Sequence, residues 1–250
     1  MKKNILVLLV AMCLLVGILS GCTEEKNEVP EASFTYQVDN EYVDTEISFT
    51  DTSEDDDTLT WMWDFGNGDT STEQNPKYTY AEAGNYTVTL NVTDENDQTD
   101  EYSVDITITL KDIVTTADTS DDPTFSTLVT ALTAAELVET LQGDGPFTVF
   151  APTDAAFDLL NETWLLNLLA DETNLSKVLT YHVVDGKVMS SDLVNGTVMT
   201  LEGTNVTIVV DTNVTVDGVT VTTPDIECKN GVIHIIDEVL LPDSVPGPEE

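Results

Sequence analysis

The chain has 250 residues and carries 47 acidic against eight basic side chains, all of them lysine, for a formal net charge of −39. Without arginine it lacks a bidentate phosphate ligand, and so acidic a surface repels a polyanion, which excludes nucleic-acid binding as its function. The length admits two ordinary domains, and the acidic excess reads as a solvated coat suited to saline surroundings rather than as a dedicated site.

Lys2 and Lys3 precede an apolar run from Ile5 to Leu19, and no acidic residue occurs before Glu24. As a helix this run would span about 22 Å, short of the ~30 Å hydrocarbon core, so residues 1–22 are predicted to be a signal peptide rather than a membrane span. Leu19-Ser20-Gly21-Cys22 resembles the lipobox of prokaryotic lipoproteins. That resemblance implies cleavage before Cys22 and lipid attachment to its sulfur, with the remaining chain outside the cell. Each buried CH2 of an acyl chain contributes about 0.8 kcal/mol, so two or more chains make a stable anchor. With Cys13 in the removed leader and Cys22 lipidated, as that resemblance implies, Cys228 is left alone and no internal disulfide is expected. Residues 23–29 form a polar linker.

From residue 30 to 110 apolar side chains alternate with period two. Phe34, Tyr36 and Val38 share a face, as do Leu59, Trp61, Trp63 and Phe65. Tyr86, Val88, Leu90 and Val92 repeat the pattern, followed by Tyr102, Val104, Ile106 and Ile108. Turn-rich pieces separate these runs, which predicts an all-β antiparallel sandwich. Within it, Trp63-Asp64-Phe65-Gly66-Asn67-Gly68, Asn75-Pro76, Tyr78-Thr79-Tyr80 and Gly84 resemble a PKD domain, an Ig-like sandwich. Trp63, Asp64, Gly66 and Gly68 are structural in this reading: the glycines permit a tight turn and Asp64 accepts backbone N–H groups. Asp64 or the Ser53–Asp57 run offers oxygens to calcium. No EF-hand spacing is present, and charge runs in loops are usually solvated, so no metal is expected.

Between residues 111 and 242 helices come first. Asp122-Pro123 reads as a helix start before Phe125, Leu128, Val129 and Leu132. Thr133-Ala134-Ala135-Glu136 reads as a capping box opening a second helix that stops at Gly143. Phe147–Ala151 is a strand, 154–160 and 162–170 are short helices, and a helix after Asp171 places Leu175, Val178, Leu179 and His182 on one face. Strands follow, with hairpin turns at Glu202-Gly203 and Asp217-Gly218 and a final apolar strand from Gly231 to Leu241. This is an α+β unit. Residues 243–250 are expected to be a disordered tail.

Phe147–Phe157, containing Thr153-Asp154, resembles the first signature of fasciclin (FAS1) domains. Tyr181-His182 sits where that family has its Tyr-His pair, and Asn230–Asp237, containing His234, resembles its second signature. The resemblance implies a β-wedge flanked by helices and a role in cell adhesion or matrix contact. It also implies adhesive contacts at Tyr181 and His182 and at Asp225 and Ile226. The competing reading is structural, with Tyr181, His182 and His234 tying elements together.

With two histidines and no nucleophile elbow, Cys-x-x-Cys, His-Glu-x-x-His or P-loop pattern, no catalytic residue and no cofactor are expected. Cys228 reads as a buried small apolar residue. The chain is expected to be a lipid-anchored surface protein, not an enzyme. Its expected partners are the membrane and surface or matrix proteins or glycans, with the PKD unit as spacer or interaction module. The alternatives are an extracellular glycan- or lipid-binding module and, less favoured, an accessory to a surface enzyme. Seven Asn-x-Ser/Thr sequons begin at Asn85, Asn91, Asn161, Asn174, Asn195, Asn205 and Asn213.

Overall fold

The computed structural model describes residues 28–38, 40–120 and 124–247, which divide after Thr109 into two compact units. The leader, Cys22 and the Asp122-Pro123 helix start lie outside the described residues.

The first unit has strands β1 (Phe34–Gln37), β2 (Glu46–Asp51), β3 (Thr60–Asp64), β4 (Thr70–Ser71), β5 (Lys77–Thr79), β6 (Gly84–Thr93) and β7 (Thr99–Ile108). They form two antiparallel sheets, ordered β1-β2-β5 and β4-β3-β6-β7. The expected alternation is the one that folds: Val88, Leu90 and Val92 of β6 and Ile106 and Ile108 of β7 are buried, while the residues between them are more exposed. β2 and β5 carry only two apolar and one apolar inward residue, Ile47, Phe49 and Tyr78, too few for alternation to reveal.

An aromatic cluster fills the space between the sheets. Phe34 meets Trp63 edge-on at 5.0 Å between ring centroids, and Phe49 lies 5.6 Å from both Trp63 and Phe65. The polar atoms of these rings are partnered, as burial requires. Trp63 Nε1 donates to Glu73 O at 2.9 Å, and the buried Tyr80 hydroxyl donates to Phe65 O at 2.7 Å. Asp64 Oδ1 accepts the Gly66 N–H at 2.8 Å, the turn bond expected of it. Gly66 is at φ +80°, and a Cβ there would lie 2.7 Å from Thr87 O, so the turn packs directly on β6.

In the second unit come α1 (Ile113–Asp118), α2 (Ser126–Ala134), α3 (Val138–Leu141), β8 (Phe147–Pro152), α4 (Asp154–Phe157), α5 (Glu162–Ala170), α6 (Glu172–Tyr181) and β9 (Val183–Asp185). They are followed by β10 (Gly196–Met199), β11 (Asn205–Val210), β12 (Val214–Val216), β13 (Val219–Cys228) and β14 (Gly231–Ile236). The seven strands form one sheet ordered β10-β11-β12-β13-β14-β8-β9, with β14 and β8 parallel. A bridge between Val184 and Thr200 brings its two ends together. The helices and one sheet face enclose a core containing Leu128, Leu132, Leu175 and Ile233, while Phe150, Val206, Ile208 and Ile236 fill the other.

Several expectations are corrected. Thr133-Ala134-Ala135-Glu136 opens no helix. Thr133 is already inside α2, where its hydroxyl donates to Val129 O at 2.8 Å, and Glu136 leaves the helix at φ 55°. An N-cap needs an extended backbone, and the strong helix propensity of Ala134 lets α2 run on into the motif before it ends. α1 was not foreseen, because six residues rich in threonine give little helical period. The last strand ends at Ile236, not Leu241. The chain beyond Pro242 is not loose up to Gly247: Val245 is buried in the helical core, and Trp164 Nε1 donates to Pro246 O at 2.9 Å.

At the β14–β8 pairing, Gly231 faces Phe147, and a Cβ would fall 2.0 Å from the Phe147 carbonyl oxygen. Backbone cannot retreat cheaply from a parallel ladder. Gly231→Ala is therefore expected to destabilise this unit by about 2 kcal/mol, read as a lowered melting transition.

Candidate functional site

Tyr181 and His182 end α6 where the chain turns into β9. Both are buried, His182 at 2 % exposure. His182 Nδ1 is 2.7 Å from Val178 O, and Nε2 accepts the Leu240 N–H at 2.9 Å, which fixes the neutral tautomer with the proton on Nδ1. Burial pulls its pKa down to about 4, against the opposing effect of Val178 O. The ring thereby replaces one backbone bond at the helix end and supplies another to the segment after β14. The Tyr181 hydroxyl donates to Asp217 Oδ2 at 2.7 Å and lies 3.2 Å from Asn205 O. Desolvation first, then the Asp217 carboxylate, push the phenol upward. Asp217 Oδ1 in turn accepts the Thr207 N–H, so Tyr181 pins the β12–β13 turn to β11.

His234 lies in β14 at 0 % exposure, opposite Phe150 of β8. Its Nδ1 accepts the Asp225 N–H at 3.1 Å and Nε2 donates to Val188 O at 2.9 Å. Burial lowers its pKa, so it too is neutral. The Phe150 N–H donates to His182 O at 2.9 Å, so β8 runs between the two histidines. Asp225 sits at φ 66° at a bulge in β13 and accepts the Ser190 N–H at 2.7 Å and the Ser190 hydroxyl. Partial burial works to raise its pKa, but these two bonds prevail and hold the carboxyl below its usual range. Ile226, half-buried, packs on the helical core. The geometry thus gathers Asp225 and His234 into one bonded group with Ser190 and Val188, and leaves Tyr181 and His182 as separate internal ties.

The first-signature residues act on helix starts. Thr153 caps α4, its hydroxyl accepting the Ala156 N–H at 3.2 Å. Asp154 reaches α2, accepting from the Ser126 N–H, Ser126 Oγ and the Thr127 N–H at 3.2, 2.8 and 2.7 Å. α2 has no side-chain cap of its own, so a residue 28 positions away supplies it. Burial favours a raised pKa, yet the Thr127 N–H and the hydroxyl groups outweigh it and keep the carboxyl well below the ordinary range. Nothing local in the sequence announces this cap. Asp154→Ala should cost about 2 kcal/mol, and Asp154→Asn less than half of that, because the amide oxygen keeps one acceptor. Chemical denaturation of the two variants checks the order.

Cys228 is buried, with its thiol pushed up by burial, in a setting that suits packing rather than nucleophilic attack. In the first unit, Glu31, Glu54, Asp55, Asp57 and Glu95 line an acidic cleft. Desolvation and the carboxylates of Asp55, Asp94 and Glu95 raise the Asp57 pKa. Asp94 is 5 % exposed; its Oδ1 accepts the N–H groups of Asn96 and Gln98, while its Oδ2 and that of Asp55 are buried without a hydrogen-bond partner. Among the described residues no three His, Cys, Asp or Glu side chains converge as metal ligands. Asp94→Asn keeps an Oδ1 acceptor for both N–H groups, so it should change the stability of this unit by less than about 1 kcal/mol. Asp94→Ala loses both bonds and should destabilise it; paired melting curves decide.

Residues 123–242 match the model of the fasciclin domain and residues 27–110 that of the PKD domain. The chain is 50 % identical over 121 residues to the uncharacterized protein sll1735 of Synechocystis sp., a stretch that covers 48 % of this chain and 91 % of that protein. It is 38 % identical over 137 residues to the cell surface glycolipoprotein MPB83 of Mycobacterium bovis, covering 53 % of this chain and 61 % of that one. Among solved structures, the PKD1 domain of Vibrio anguillarum Epp is 34 % identical, with a TM-score of 0.30, over 33 % of this chain and 96 % of that one.

Proposed function

The chain belongs to the fasciclin family, and from that premise we propose that it is a lipid-anchored surface protein whose fasciclin domain makes adhesive contact with a surface or matrix protein or glycan. The observation that carries this reading is the fasciclin match over residues 123–242, made in a chain whose relative MPB83 is by name a cell surface protein. The lipid on Cys22 is the anchor, and the PKD domain is spacer or second contact surface. Binding rather than catalysis fits two domains whose families are adhesive and structural.

In this reading Tyr181 and His182 act from inside. With both side chains buried and bonded, they hold the β11 to β13 turns and the segment after β14 in place, and a partner meets the surface they shape. Asp225 and Ile226 are the more accessible pair, at a bulge that Ser190 and His234 fix.

Intact-cell surface labelling and attachment assays test this on wild type, on Cys22→Ala and on a chain lacking residues 111–250. The expected result is exposed, membrane-bound wild type, release by Cys22→Ala, and lost attachment on deletion. Unchanged attachment by a correctly anchored deletion variant would sink the adhesive role.

A further inference from the structure

We propose that the outer face of the β10–β11 hairpin is an N-glycosylated surface, modified at Asn195 and Asn205, on which the saccharides cover apolar side chains that the fold leaves exposed. The proposal rests on the reading of the chain as an exported surface protein. Fifteen asparagines are present, and serine and threonine together make up 50 of 250 residues, so three asparagines would have a hydroxyl residue two positions on by chance; seven do. None of those seven asparagines is buried, and neither is any of their hydroxyl partners.

Strand geometry gives the excess a physical form. Residues i and i+2 of a strand point to the same side, so a sequon on a surface strand presents its amide and its hydroxyl together. Asn205 and Thr207 both stand on the exposed side of β11, while Val206 and Ile208 point into the core. Asn195 and Thr197 are exposed at the start of β10, and Thr197 pairs with Thr207 across the hairpin.

The same face carries apolar side chains with no protein cover. Met199 is 65 % exposed and pairs directly with Asn205, and Val209 follows Thr207 on the same side; Val194, 73 % exposed, precedes Asn195 in the chain just before the strand begins. The association recurs elsewhere: Met62 is exposed and pairs with Asn91 across β3 and β6, and Leu159 is exposed two residues before Asn161. Four of the eight large exposed apolar side chains among the described residues, Met62, Leu159, Val194 and Met199, thus lie beside a sequon asparagine. Exposed apolar groups that cluster ask for a cover, and the C–H face of a pyranose attached to the neighbouring residue provides one.

The bonding of the amides agrees. Asn195 uses Oδ1, accepting the Val210 N–H at 2.5 Å, and Asn85 and Asn161 likewise accept through Oδ1, which leaves Nδ2 out of the bond. Asn174 differs: it is half-buried and donates Nδ2 to Asp171 at 2.8 Å. In the reaction Nδ2 attacks the anomeric carbon of a saccharide carried by a polyprenyl phosphate. A C–N bond forms, the anomeric C–O bond breaks, the lipid phosphate leaves with the electron pair, and the amide loses one proton to base. The donor and its transferase belong to the exporting cell.

The test is peptide mapping by mass spectrometry of the full chain purified from its own cells. Hexose-containing mass is expected on Asn195 and Asn205 in most molecules and absent from Asn174. Thr207→Ala should remove it from Asn205 alone, and Thr207→Ser should restore it. The double variant Thr197→Ala with Thr207→Ala should bind an apolar dye about twofold or more above wild type. Unmodified Asn195 and Asn205, or equal modification of Asn174, overturns the proposal. Modified asparagines with unchanged dye binding overturn the covering role. Surface labelling of the same cells shows separately whether the surface reading has failed.

Discussion

Acidification from pH 7 to pH 4 is expected to remove about 3 kcal/mol of stability from the fasciclin unit through His182. The ring is neutral in the fold because burial denies its cation water, and its pKa falls from 6.5 to about 4. The unfolded chain takes up the proton near 6.5, so between these values the unfolded state binds more protons than the folded one. The stabilisation is therefore full above pH 6.5, declines as the pH falls toward 4, and declines no further below it. His234, shifted in the same direction, adds to the trend. Protonating His182 at Nε2 also destroys the acceptor of the Leu240 N–H, which releases the segment after β14. The measurement is the pH dependence of denaturant unfolding for wild type and His182→Gln, because surface carboxylates titrate alike in both. Their difference should shrink by about 3 kcal/mol from pH 7 to pH 4. Parallel curves would show that His182 is not the titrating group.

Trp63→Ala should cost the PKD unit about 4 kcal/mol, most of the stability of a domain this size. Trp63 is fully buried, its ring holds the Phe34 and Phe49 contacts, and its indole N–H satisfies Glu73 O. Truncation leaves a large cavity and an unpaired carbonyl at once. The fasciclin unit has its own core, so its transition should be unmoved while that of the PKD unit disappears or falls well below physiological temperature. Calorimetry of the full chain separates the two. A single shared transition, lowered as a whole, would overturn the assignment of Trp63 to one unit's stability. Trp63→Phe should retain most of the ring packing and cost about half as much.

Much of this architecture was legible in one dimension. The strands around Trp63, Leu90 and Ile106 declared themselves because a sheet buried on one face imposes a two-residue period. α5 is legible at its observed bounds, residues 162–170, because its start is set locally: Asn161 Oδ1 accepts the Trp164 N–H three residues on. The Asp217-Gly218 hairpin was legible for the same reason: both residues must take positive φ, and the residue types say so. β2, β5 and α1 were missed because two or three inward side chains make no period.

The site divides along the same line. The sequence by itself determined that Tyr181, His182, Asp225 and His234 stand at marked positions, and that His182 shares a helical face with Leu175, Val178 and Leu179, because spacing along one element is a local property. Only the tertiary structure decided what these residues do: which histidine nitrogen carries the proton, that Asp225 bonds Ser190 and Tyr181 reaches Asp217, and that Asp154 caps α2 rather than α4, the helix it begins. Those partners are 27 to 58 residues apart along the chain for all but the bond at the end of α6. A hydrogen bond depends on atoms meeting in space, and burial sets the charge state. Both arise only when separate elements pack, and no period in the sequence encodes them.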